Sequence, residues 1–164
     1  MEVKIYVANL AKYNEGKLVG EWLTLPLSRE ELEERLKGIL GEDEEYAIHD
    51  YEAPFSISEY DDVFAINEAA AVMAHYESRV VIALCECVDN VEKVVRLLES
   101  GDYSVYLDVD NLCDVAAEMI DEGCFGSVPS SLVCYIDYES IARDLKMDGW
   151  HMNYELRVAV RPHS

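Results

Sequence analysis

The sequence predicts an α+β protein of three small subdomains in series. Residues 1–61 form a β-hairpin and helix unit, 62–101 a helical middle, and 102–164 a C-terminal α+β unit. Three observations lead there. Segments rich in β-formers lie near both ends, apolar residues recur at helical spacing through the middle, and no repeat, low-complexity tract or flexible linker separates the parts. With 51% hydrophobic residues among 164, the chain has ample material for folded cores.

Val3–Leu10 and Leu18–Leu25 read as strands, and the connecting Ala11–Lys17 carries Asn14 and Gly16, which suit a turn with positive φ; together they predict a β-hairpin. Ser28 followed by Glu31 is a capping box, with Leu32, Leu36, Ile39 and Leu40 at helical spacing up to Gly41. A helix over Arg29–Leu40 follows. Tyr46–Tyr51 is a short returning strand. From Asp62 the period turns helical, with Ala65, Ala69, Val72, Met73 and Tyr76 on one face, then Val91, Val94, Val95 and Leu98 on another, ending at Gly101. Arg79–Val88 is short and apolar, so periodicity fits a buried strand or a buried helix; helix is the expectation carried forward. Tyr103–Val109 alternates as a strand, and Asp110 or Asn111 caps a helix carrying Val115, Met119 and Ile120 to Gly123. Beyond Gly126–Pro129, one or two helices run through Leu132 and Leu145, and Tyr154–Val160 closes the chain as an alternating strand.

Charge narrows the function. Lys and Arg number 13 against 34 Asp and Glu, a net −21, which excludes direct binding to DNA, RNA or an anionic membrane and points to basic partners. No apolar run approaches the roughly 20 residues of a membrane span, and the N-terminal residues lack signal-peptide architecture, so a cytoplasmic location is expected. Cys85, Cys87, Cys113, Cys124 and Cys134 are odd in number and irregularly spaced, and read as buried thiols instead of a disulfide framework.

Two spans concentrate the acids. Glu42–Asp62 holds nine carboxylates (Glu42, Asp43, Glu44, Glu45, Asp50, Glu52, Glu59, Asp61, Asp62) and no Lys or Arg, yet Tyr46, Ile48, Tyr51, Phe55, Ile57 and Tyr60 are threaded through it. Disordered acidic segments are poor in such residues, so these charges belong to an ordered surface. Leu97–Ala142 again lacks Lys and Arg and carries Glu99, Asp102, Asp108, Asp110, Asp114, Glu118, Asp121, Glu122, Asp137 and Glu139. Fixed like charges cost stability through self-repulsion, and two cation-free spans in different subdomains predict one extended negative surface. An array of fixed negative charge resembles a nucleic-acid backbone.

Other chemistries fit less well. Asp108–Asp114 hints at a calcium loop, but Cys113 stands at the EF-hand glycine position and Met119 at the twelfth. His49 and Asp50 beside Glu45 and Glu52 lack a second nearby His or Cys to complete a metal set, and a strand-end His among surface acids is the plainer account. Cys85 and Cys87 lack the two-residue spacer of redox and zinc motifs. Paired carboxylates for acid/base hydrolysis need environments that drive two pKa values apart, which spacing alone does not supply. Tyr46, Tyr51 and Tyr60 would serve as partner contacts, against the commoner use of Tyr at half-buried strand positions.

Three blocks carry a resemblance to a known family: Tyr6–Leu10 with Tyr13–Trp22, Glu45–Glu52, and Val128–Leu132 through Tyr135–Glu139 to Ala142–Leu145. In that order the sequence resembles the ArdA-type antirestriction proteins of plasmids and conjugative transposons. Val63–Gly101 matches least, and Cys124–Ser127 stands where the family carries a Leu-Leu pair and an acid. The resemblance implies an elongated homodimer of three small domains per chain. Its carboxylates would imitate the phosphates of bent B-form DNA and occupy the DNA groove of type I restriction-modification enzymes, at the methyltransferase core and specificity subunit. Inhibition would be stoichiometric, with no catalysis, cofactor or metal.

Under this reading the nineteen acids named above are the phosphate-mimicking set, and Trp150, Tyr154, Leu156 and Val158 pack across the dimer twofold. Two chains at −21 carry −42, equal to roughly 70 Å of duplex at about one charge per 1.7 Å. The alternative is an acidic adaptor or regulator that binds another basic DNA-handling or nucleoid protein.

Overall fold

The computed structural model describes residues 1–163. It divides into two compact units, Met1–Arg96 and Leu97–Ser164. Each is built on a three-stranded antiparallel sheet.

In the first unit β1 (Val3–Asn9) is the central strand, with β2 (Gly20–Leu25) on one side and β3 (Tyr46–Glu52) on the other. Strict alternation puts Val3, Ile5 and Val7 on one face. That face is covered by α2 (Arg29–Leu40) through Leu32, Leu36 and Ile39, and by α3 (Val63–Met73) through Val63, Ile66 and Ala70, in one apolar cluster. The first helix of the expected helical middle therefore shares its core with the N-terminal sheet. Asn67 clips α3 to the segment after β2: its amide accepts from Leu27 N and donates to Leu27 O, both at 2.8 Å. Ser28 Oγ accepts from Glu31 N at 3.2 Å, and Gly41 at φ 58° ends α2, as the sequence predicted. Arg79–Val88, ambiguous in sequence, lies mostly in helix α4 (Ser78–Cys87), with Val80, Val81, Ala83 and Leu84 buried at helical spacing. α5 (Val91–Ser100) follows and ends at Gly101.

The hairpin connection differs from the expected open turn. Leu10–Asn14 forms a short helix, α1, because the Asn9 side chain accepts from Lys12 N and starts it. Positive φ falls on Gly16 at 82° and not on Asn14.

In the second unit β6 (Val158–Pro162) lies between β4 (Tyr103–Leu107) and β5 (His151–Asn153). Helices α6 (Leu112–Asp121) and α7 (Tyr138–Met147) join this sheet around Val109, Val115, Leu145, Trp150, Met152 and Ala159. Asn111 is the cap of α6, its Oδ1 accepting from Asp114 N at 3.0 Å. Between the two helices the chain makes a single 3-10 turn at Val133–Tyr135, with Leu132 just before it.

Two expected strands change. β4 stops at Leu107 instead of Val109, because Asp108 takes a left-handed φ of 59° and turns Val109 into the core. The expected closing strand Tyr154–Val160 is two shorter strands joined by a turn over 154–157. Asn153 Oδ1 accepts from Leu156 N at 2.8 Å, and Arg157 takes φ 55°, so the local side-chain bond overrides the alternating pattern. Among the described residues no helix is long and apolar enough to cross a membrane.

Candidate partner-binding surface

The excess of charge is shared by both units. Met1–Arg96 holds 21 acids against 9 Lys and Arg, a net −12, and Leu97–Ser164 holds 13 against 4, a net −9. Of the nineteen acids singled out from the sequence, Asp43, Asp61 and Asp114 are half-buried and the others are exposed.

The loop after α2 shows how the fold presents them. Asn9, 1% exposed at the end of β1, donates to the carbonyls of Ile39 (3.3 Å) and Leu40 (3.2 Å) and to Asp43 Oδ2 (3.0 Å). Leu10 N donates to Glu45 O at 3.0 Å. One carboxylate is thus tied inward and the backbone is pinned, which leaves Glu42, Glu44 and Glu45 exposed on a fixed loop. Along β3, Asp50 and Glu52 lie opposite Tyr6 and Lys4, and Lys4 Nζ reaches Glu52 at 3.8 Å. His49 Nε2 stands 3.9 Å from Glu59, with its ring edge-on to Tyr13. Asp61 accepts from Ser58 N and Asp62 from Phe64 N, so these two acids also shape the entry to α3.

In the second unit Asp114, Glu118, Asp121 and Glu122 recur at helical spacing along α6 and the residue that caps it. Glu122 accepts from Tyr106 OH at 2.8 Å; burial first, and then this carboxylate, push the Tyr106 phenol far above its usual range. Asp137 caps α7, accepting from Ser140 N (3.1 Å) and Ser140 Oγ (2.6 Å), bonds that hold its carboxyl below the usual range. The suspected calcium loop is closed by protein: Asp110 N donates to Asp114 Oδ2 at 2.8 Å, and Arg157 Nε donates to Asp110 at 2.8 Å. Among the described residues no set of three or more His, Cys, Asp or Glu side chains comes together to hold a metal ion.

Ion pairs remove little of the charge. Arg35–Glu21 (2.5 Å), Lys4–Glu2 (2.9 Å), Arg79–Glu77 (3.0 Å), Arg161–Asp148 (3.1 Å) and Arg29–Glu33 (3.2 Å) involve acids outside the singled-out set. Within it, Asp43 with Lys12, Glu52 with Lys4 and Asp110 with Arg157 have a cation partner. Glu42, Glu44, Glu45, Glu99, Glu118, Asp121 and Glu139 are exposed with no ion pair among the described residues. Reading the sequence for cation-free spans passed over a further row. Glu30, Glu31, Glu33 and Glu34 are all exposed on α2, where Arg29, Arg35 and Lys37 interrupt them in sequence. The helical period that puts Leu32, Leu36 and Ile39 inward was the signal that would have found them.

The dimer residues fall in two groups. Trp150 (5% exposed) and Val158 (0%) belong to the interior of their own unit, whereas Tyr154 is 68% exposed and Leu156 half-buried. The cysteines are free, but the expectation of buried thiols is corrected. Cys85 and Cys113 are half-buried, and Cys87, Cys124 and Cys134 are exposed. Cys85 and Cys87 sit near the end of α4, past its fully buried face, and Cys124 and Cys134 lie in the surface segment between α6 and α7. Among the tyrosines, Tyr46 is half-buried and its OH accepts from Val63 N at 3.3 Å, while Tyr51 and Tyr60 are exposed.

Comparison with curated proteins finds no match. The model of a protein family described as antirestriction protein (ArdA) matches residues 5–156, all but the first four and last eight residues of the chain. Acidic surfaces on two α+β units and a match of this extent lead to one conclusion: the chain belongs to the ArdA family of antirestriction proteins.

Proposed function

We propose that the protein is a mimic of B-form DNA that occupies the DNA-binding groove of type I restriction-modification enzymes, at the methyltransferase core and specificity subunit, and inhibits them stoichiometrically without catalysis. The observation that carries the reading is the density of negative charge at helix spacing along α6 and its cap, exposed at Glu118, Asp121 and Glu122 and half-buried at Asp114. Asp114 to Glu122 spans about 12 Å at 1.5 Å per residue. Four carboxylates over that length rise in steps of about 6, 4.5 and 1.5 Å along the axis, a mean of about 4 Å against the 3.4 Å per phosphate of one DNA strand. Glu42, Glu44 and Glu45 on the pinned loop of the first unit, and Glu99 and Glu139 in the second, add further exposed carboxylates to their own units.

Attraction of this kind is collective. It gains from displacing ions out of a basic channel and weakens as salt rises. The protein would act as an elongated homodimer in the cytoplasm, joined through the C-terminal units. Tyr154 and Leu156 supply the surface across the twofold, since Trp150 and Val158 are buried within their own unit.

Fluorescence anisotropy of labelled DNA bound to a type I methyltransferase core tests the reading. Titrated protein should release the DNA at a fixed molar ratio. DNA that stays bound while the protein joins the complex would instead identify an acidic adaptor. Solution scattering that gives a monomer, or a compact particle, would overturn the elongated dimer.

A further inference from the structure

Within the first unit, a half-open cavity of about 350 Å³ lies between the end of β3 with its following loop and the end of α4. Tyr51, Pro54 and Phe55 line it from the β3 side, and Cys85, Val88 and Asp89 from α4 and the residues just after it. Its volume is within the range of pockets that hold small ligands or side chains. Asp89 is exposed and has no ion pair among the described residues. Burial pushes the Cys85 thiol up to about 11, so that wall stays neutral at physiological pH.

Two aromatic rings with a carboxylate beside them select among occupants. The ring faces attract a cation, and the carboxylate repels anions. An apolar occupant would strip water from Asp89 with nothing to replace it. Between cations, a planar guanidinium stacks on a ring and donates to a carboxylate at its edge, whereas an ammonium is compact and strongly hydrated. We infer that this cavity receives an arginine side chain projecting from the basic surface of the partner protein. The inference rests on the proposed function only for whose arginine it is. DNA-binding proteins use arginine for the commonest base-reading contact as well as for phosphates. Rows of carboxylates satisfy the phosphate-contacting residues, and the aromatic cavity gives a base-reading arginine a place to go.

The probe is N-acetyl-arginine methylamide, followed through the ring resonances of Tyr51 and Phe55 in the intact protein, beside the lysine and citrulline analogues. Saturable shifts with arginine, weaker with lysine and absent with the neutral citrulline, are expected. Tyr51→Leu and Asp89→Asn should each weaken binding about two- to fivefold. Both positions are exposed, and an unchanged amide spectrum verifies the fold of each variant. Shifts that fail to saturate, appear equally with citrulline, or survive both substitutions would overturn the inference. DNA displacement by a protein that shows no arginine binding removes the cavity and leaves the mimic standing; arginine binding without displacement does the reverse.

Discussion

Replacing Asn9 with alanine tests how the acidic loop is held. A single buried amide starts α1 by accepting from Lys12 N (3.1 Å). The same amide donates to the last carbonyls of α2 and anchors Asp43 at 3.0 Å. Losing an N-cap costs about 1 kcal/mol. Leu40 O still accepts from Asp43 N at 2.9 Å, so the Ile39 carbonyl is the one stranded, which adds about 1–2 kcal/mol. Asn9→Ala should therefore destabilise the first unit by about 2–3 kcal/mol, lowering its urea midpoint by roughly 1–2 M at an ordinary m-value. The two tryptophans make the assay unit-specific: Trp22 belongs to Met1–Arg96 and Trp150 to Leu97–Ser164. The transition reported by Trp22, obtained by difference from a Trp22→Phe background, should move, and that reported by Trp150 should not. Amide hydrogen exchange over residues 42–45 should quicken together with the shift. Asn9→Asp keeps the acceptor for Lys12 but turns the donor into an anion facing Asp43 and two carbonyls, so at pH 7 it should cost more than alanine. A loss under about 0.5 kcal/mol, or one confined to the Trp150 transition, would refute the role given to Asn9.

Joint replacement of Glu42, Glu44, Glu45, Glu99, Glu118 and Asp121 by their amides should weaken DNA displacement by more than about tenfold, at roughly 0.2–1 kcal/mol per contact. Asp50→Asn alone should change it less than about threefold, and abolition by that one change would contradict a collective mechanism. At pH 8 a thiol with a pKa of about 11 is roughly 0.1% thiolate, so iodoacetamide should reach Cys124 and Cys134 before Cys85 and Cys87. Labelling at Cys85 should quicken about tenfold per pH unit below 11, read by peptide mass spectrometry. Gly20→Ala would set a Cβ 2.6 Å from Val7 O in the β1–β2 pair and should cost about 1–3 kcal/mol in the Trp22-reported transition; an unchanged midpoint would mean the hairpin yields there.

Where structure was legible in the sequence, the determining physics was local. Ser28 and Glu31 marked the start of α2 and Gly41 its end, because caps and positive φ act over three or four residues. Where an Asn side chain bonded the backbone three residues on against the apolar pattern, that pattern misled. Asn9 turned a loop into α1, and Asn153 with Arg157 broke a regular alternation into a turn between two strands. The candidate surface divides in the same way. The acids of 42–62 and 97–142 stood out because no cation interrupts them, while the acids of α2 stayed hidden among Arg29, Arg35 and Lys37 until the helix separated its faces.

By itself the chain determined a net charge of −21, the mixed α+β class and the motifs shared with its family, since composition and short-range periodicity survive in one dimension. Only the tertiary structure decided which carboxylates are spent on caps and ion pairs and which face solvent. It also decided that Trp150 and Val158 are interior, and that Tyr51, Phe55 and Asp89 share a cavity. Those outcomes depend on partners 30 or more residues away, such as Asn9 with Ile39 and Arg157 with Asp110, and closing such distances is the work of the packed core.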